Sequence, residues 1–148
     1  MRSAAIALAI ALAACGKRAT VAACKDDLAG AWKTEAGQRW MIIDSGQALE
    51  AYTLFDDTHP AGAPAGIELG PRVIDLVRTP QGADGDVKRR FVHTGDQCIG
   101  RAPAHLVSCA EDTLEIVLAD PAPPIAYTPC QWGRPEASRR ERWRMEAK

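Results

Sequence analysis

The sequence predicts an all-β domain: an antiparallel meander of about eight short strands forming a small barrel or sandwich. Three observations lead there. Short apolar segments recur with turn signals every 8–12 residues, the spacing expected of sandwiches and barrels. Thr113–Ala119 alternates strictly, with Leu114, Ile116 and Leu118 on one face, as a half-buried strand does. The connections are short, which suits antiparallel pairing, because parallel strands need long crossovers.

The elements follow in order. Gln38–Asp44 carries Trp40, Met41, Ile42 and Ile43, and Ser45-Gly46 reads as a turn. Ala48–Phe55 follows, with Leu49, Tyr52, Leu54 and Phe55, and then a Pro/Gly-rich loop from Asp56 to Gly66. Arg72–Thr79 holds Val73, Ile74, Leu76 and Val77. Asp84-Gly85 is a hairpin-turn signal, flanked by a strand at Val87–His93. Ala104–Cys109 and Thr113–Ala119 are strands joined by a turn at Glu111-Asp112. Asp120–Pro129 contains four prolines and reads as a loop or edge segment. Ala137–Ala147 is rich in helix formers, yet Trp143, Met145 and Ala147 alternate with Arg140, Arg142 and Arg144. It reads as a closing strand, with a helix as the alternative.

The chain has 148 residues, enough for one domain, with 47% apolar and 25% charged residues. Lys plus Arg is 18 and Asp plus Glu is 19, for a formal charge of −1. That balance points away from a nucleic-acid partner.

The first residues carry an address. Arg2 precedes an uncharged apolar run from Ala4 to Ala14, too short for a membrane-spanning helix, which needs about 20 residues. It fits the apolar region of a secretory signal. Leu12-Ala13-Ala14-Cys15 resembles the lipobox of bacterial lipoproteins. The resemblance implies a signal peptide at 1–14, cleavage before Cys15, a covalent lipid on that cysteine, and membrane attachment through it. Gly16 in place of an Asp then implies an outer-membrane protein facing the periplasm. Residues 15–27 read as a tether, with Lys17 and Arg18 beside the anchor, and 28–148 as the β domain.

Export places the other four cysteines, Cys24, Cys98, Cys109 and Cys130, in an oxidising compartment, where an even number reads as disulfides. Three pairings exist. The favoured one is Cys98–Cys109, across an expected hairpin, with Cys24–Cys130 tying the domain's start to the Pro-rich segment.

Leu28-Ala29-Gly30-Ala31-Trp32 contains Gly-x-Trp near the start of the mature domain, which is similar to the lipocalin and wider calycin pattern. The resemblance implies a first strand of an up-and-down barrel. It also implies an arginine of the last strand, Arg142 or Arg144, packed over Trp32.

No Gly-x-Ser-x-Gly, His-Glu-x-x-His, P-loop or Gly-x-Gly-x-x-Gly signature is present, and no cofactor or metal is expected. Asp56, Asp57 and His59 form the one compact polar group, and solvated turn chemistry accounts for it. Asp84, Gly85 and Asp86 read as a turn, since the calcium-loop register is missing. His93 and His105 fall in strands. Lys88-Arg89-Arg90 splits between two faces, so that Arg89 points inward or lies on the second sheet face, where it needs a carboxylate. Arg139, Arg140, Arg142 and Arg144 form a denser basic cluster. Arg140, Arg142 and Arg144 are candidate contacts for an anion or a partner, and the ordinary reading is a solvated face with salt bridges. The functional expectation is a lipid-anchored, non-catalytic binding or interaction module, taking a small apolar ligand or an envelope protein. The alternatives are an inhibitor of a protease or lysozyme that presents the 56–66 loop, and an envelope enzyme of unknown reaction.

Overall fold

The computed structural model describes residues Cys24, 27–54, 67–93, 96–123, Cys130 and 133–146. The described chain is all-β and contains no helix. Its strands are β1 (Gly30–Thr34), β2 (Arg39–Asp44), β3 (Ala48–Leu54) and β4 (Ile67–Thr79), then β5 (Gly82–His93), β6 (Asp96–Ala110), β7 (Thr113–Leu118) and β8 (Arg139–Met145). Each pairs antiparallel with its sequence neighbours, and β8 returns to β1, closing a barrel. Closure leaves no exposed strand edge along the paired lengths. The tail is the closing strand, and its alternation explains why: Trp143 faces in, and Arg140, Arg142 and Arg144 face out.

Two expectations about turns and sulfurs are corrected. Asp84-Gly85 lies inside β5, and the hairpin turns four residues earlier, at Pro80-Gln81, where Thr79 pairs with Gly82. Gly85 sits between Leu76 and Ala104 in the sheet, and a Cβ there would collide with the Asp75 carbonyl. Glycine therefore serves close backbone approach at this position. Pro80 presets the turn's φ and takes no part in the ladder.

The second correction concerns Cys98 and Cys109, which both lie on β6. Eleven residues of extended strand separate them by about 37 Å, and a disulfide needs Cα atoms within about 7 Å. The observed bonds are Cys24–Cys109 and Cys98–Cys130, with Cα separations of 5.5 and 5.4 Å. Each ties a segment outside the barrel to one end of the same long strand.

β6 extends well beyond the expected Ala104–Cys109. Its inward positions above Leu106 are Ala104, Ala102, Gly100 and Cys98, whose small side chains give little hydrophobic alternation to read. Pro103 sits in this stretch because β7 pairs only from Ala104 onward. The missing N–H of Pro103 faces the side where no strand pairs, and its carbonyl accepts from Ala119 N (3.1 Å).

The barrel has a closed end and an open end. The lower interior is packed by Leu28, Ile42, Leu49, Ile74, Leu114, Ile116 and their neighbours. The residual cavity among them is about 20 Å³, room for about one water. Leu28 plugs this end, and its N–H donates to Asp44 Oδ2 (2.9 Å). Gly46 N donates to Asp44 Oδ1 (2.8 Å), and Arg78 forms an ion pair with the same carboxylate, whose side chain is 2% exposed. Burial opposes the charge on Asp44, but the Leu28 and Gly46 amides and Arg78 outweigh it and hold the carboxyl below its ordinary value. A depressed folded-state pKa contributes stability that is present above the unfolded value, about 4, and is lost as pH falls through the folded value. Asp44→Asn is expected to cost about 1–3 kcal/mol at neutral pH, and its urea midpoint should fall less on acidification than that of the wild type. Equal acid sensitivity of the two proteins would contradict this role.

Candidate functional site

The open end is built from the turn after β1, the ends of β3, β5 and β7, and the start of β8. Asp120 and Glu136 line it, with Glu136 N donating to the Asp120 carbonyl (3.3 Å). The inward layer here is polar: Thr34, Thr53, Arg72 and Arg89 are all buried. Arg72 reaches this layer by alternation, on the inward parity of Ile74 and Leu76, and a bulge lies just before it. Leu69 pairs with Phe91 and Arg72 with Arg89, so Gly70-Pro71 opposes the single residue Arg90. β3 stops pairing with β4 at Tyr52–Val73, and the Thr53 hydroxyl then accepts the Arg72 N–H (3.1 Å).

A closed circuit of side chains joins these elements. Trp40 and Trp143 stack at 4.7 Å between ring centroids, with planes 20° apart. The Arg72 guanidinium lies over the Trp40 ring, 5.2 Å from its centroid. Arg72 Nη1 donates to Asp120 Oδ1 (3.2 Å), and Arg139 Nη1 to Asp120 Oδ2 (2.8 Å). Arg139 Nε donates to Glu141 Oε1 (2.8 Å), and the Trp143 indole N–H to Glu141 Oε2 (2.9 Å), completing the ring. Burial works against the charge on Arg139, but Asp120 and Glu141 overcome it and raise its pKa, so it stays protonated.

Above this circuit lies an open basin of about 640 Å³, lined among others by Gln38, Leu54, Arg72, Arg89, Asp120 and Glu136. Arg89 points inward, as one of its two sequence readings allowed. Its Nε donates to the Gly70 carbonyl at the bulge (3.2 Å).

The sequence-derived arginines are elsewhere. Arg140 and Arg142 lie on the outer face and bind Glu115, at 3.3 and 2.8 Å. Arg142 chiefly holds the Glu115 carboxyl below its ordinary value. Arg144 is exposed outside, opposite Lys33. The expectation that Arg142 or Arg144 covers Trp32 is therefore corrected: strand parity sends both out while Trp32 faces in. The indole N–H of Trp32 instead donates to the Leu28 carbonyl (2.9 Å), and the arginine over a tryptophan comes from β4 onto Trp40. His105 pairs with Asp84 on the outer face (2.8 Å). Cys15, Lys17, Arg18, Asp56, Asp57 and His59, and the side chain of His93, lie outside the described residues.

Asp120, Glu141 and Arg72 were not singled out in the sequence. The signal for three of the circuit's members was present in the tail, where Arg139, Glu141 and Trp143 share the face opposite to Arg140, Arg142 and Arg144. Among the described residues, no group of three or more His, Cys, Asp or Glu side chains is placed to hold a metal ion. No protein-family model, curated protein or solved structure matches the chain.

Asp120 is the hinge of the circuit, since its two oxygens serve two guanidiniums. Asp120→Asn is expected to lower stability by about 1–3 kcal/mol and to alter the near-ultraviolet circular dichroism of the stacked indoles. An unchanged denaturation midpoint and spectrum would show that the circuit carries no load.

Proposed function

We propose that this chain is a lipid-anchored lipoprotein of the bacterial cell envelope, acting as a non-catalytic binding module whose binding surface is the polar mouth of the barrel. The observation that carries the reading is the opposition of the two ends. Cys24, nine residues after Cys15, is bonded to Cys109 at the closed end, while the basin opens at the other. Nine residues reach at most about 30 Å, so a lipid on Cys15 would keep the closed end within about that distance of the bilayer. Two disulfides also suit an oxidising compartment.

The site chemistry supports binding. Asp120 and Glu141 each spend both oxygens on arginine or indole donors, and neither stands ready as a general base. Gly30-Ala31-Trp32 opens β1 of an eight-stranded up-and-down barrel, which supports the lipocalin-like reading. The filled lower interior moves any ligand from the calyx to the mouth. The same filling favours a second reading, an inhibitor of a protease or lysozyme that uses the rim of a solid barrel.

Expression in a bacterial host tests the anchoring. Intact-mass spectrometry is expected to find a chain that starts at Cys15 and carries a diacylglyceryl thioether and an N-acyl group. Cys15→Ser should move the protein from the membrane to the aqueous fraction. A wild-type protein that keeps Met1 and stays aqueous would overturn the assignment.

A further inference from the structure

We propose that the outer wall of β8 and β1 docks on an anionic bilayer surface through Lys33 and Arg144. This rests on the lipid-anchored reading and names the face on which the anchored barrel lies.

Arg39, Lys33 and Arg144 are consecutive cross-strand partners on the outer face of β2, β1 and β8. Like charges directly opposite each other destabilise a sheet. The carboxylates of this wall are engaged elsewhere. Glu146 is held by Arg39 (2.7 Å). Glu115 is held by Arg142 and Arg140 (2.8 and 3.3 Å), and Glu35 lies 4.0 Å from Arg142. Asp112, at the neighbouring turn, accepts from the Thr113 hydroxyl (3.1 Å). Among the described residues, no carboxylate comes within ion-pair distance of Lys33 or Arg144. Both side chains are exposed, and with Thr34 and Glu35 they border a shallow hollow of about 330 Å³. Internal pairing thus leaves two adjacent cations over, and both face outward.

The row also leads to the point where the tether enters. Arg144 pairs with Thr113, and Thr113 with Ala110. Two strand spacings amount to about 10 Å. Cys109, beside Ala110, is bonded to Cys24, and Cys15 lies nine residues before it. A lipid on Cys15 therefore holds this wall at high effective concentration beside the headgroups, where weak attractions suffice. Anionic headgroups supply them, at about fivefold for each Lys or Arg near the surface. The far wall carries the opposite charge. Glu50, Asp75 and Asp86 are consecutive cross-strand partners on the outer face of β3, β4 and β5, with Lys88 on Asp75 and Arg101 on Asp86 (3.7 Å). An anionic surface attracts the first wall and repels the second, which orients the barrel.

The test reconstitutes the full chain, its acyl groups verified by intact mass, into phosphatidylcholine vesicles with or without about one-third phosphatidylglycerol. The readout is the acetylation rate of Lys33 by mass spectrometry, referred to Lys88 on the far wall. On anionic vesicles Lys33 is expected to slow about fivefold or more relative to Lys88, and high salt should restore it. Neutral vesicles should leave the ratio as it is in nonionic detergent. Arg144→Gln should remove most of the protection, and Arg144→Lys, which keeps the charge, should retain it. The proposal is overturned if Lys33 reacts equally fast on both kinds of vesicle, or if Lys88 is protected to the same degree. Protection on neutral vesicles would instead indicate a protein contact, such as a second copy. Protection by inorganic phosphate in detergent would indicate a site for the free anion. Either result also overturns the proposal. An acylated chain that stays on both vesicles without protecting Lys33 keeps the anchor and loses only the docking face. A chain without acyl groups that leaves both vesicles overturns the anchored reading and the proposal with it.

Discussion

Trp143 stands on the strand that closes the barrel, and its ring lies against Trp40 from the opposite side of β1. This contact divides the interior. On one side, aliphatic side chains fill the space down to a residual cavity of about 20 Å³. On the other, Arg72 takes the Trp40 face, and the polar circuit through Asp120, Arg139 and Glu141 begins. A stacked aromatic pair contributes about 0.5–1.5 kcal/mol beyond its burial. Its larger role is positional: it gives the guanidinium of Arg72 a floor and the indole of Trp143 a reason to hold Glu141.

The two disulfides follow the same division. Both use β6, the strand that runs the full height of the barrel, with Cys109 at the closed end and Cys98 toward the mouth. Cys24 brings the N-terminal segment to the bottom, where Asp44 clips Leu28 into the core. Cys98 holds Cys130 near the mouth, and Asp120 follows the end of β7 there. A single strand thus carries one disulfide at the closed end and one at the mouth.

The barrel was legible in the sequence where large apolar residues alternate, as in Leu114, Ile116 and Leu118, or in Trp143 against its arginines. It was illegible where packing uses small residues. Ala102, Gly100 and Ala104 carry no hydrophobic signal, so most of β6 went unread, and with it the reason Cys98 and Cys109 cannot meet. Gly85 looked like a turn because a glycine demanded by close backbone approach is indistinguishable in sequence from one demanded by φ. The site was read only in part. Arg89 was an inward candidate, and Arg72 shares the inward parity of Ile74 and Leu76, so alternation within Arg72–Thr79 carried its placement. Asp120 is brought in by a loop, and its placement does not follow from local pattern.

The division of the interior by Trp40 and Trp143 has a direct spectroscopic signature. Two indoles at 4.7 Å couple as excitons. The difference between the far-ultraviolet circular dichroism spectra of the wild type and Trp143→Phe is expected to show a bisignate couplet, lost when the wild type is unfolded. A folded Trp143→Phe protein whose spectrum differs from the wild type by no couplet would mean that the two rings do not stack, and the floor of the site would go with them.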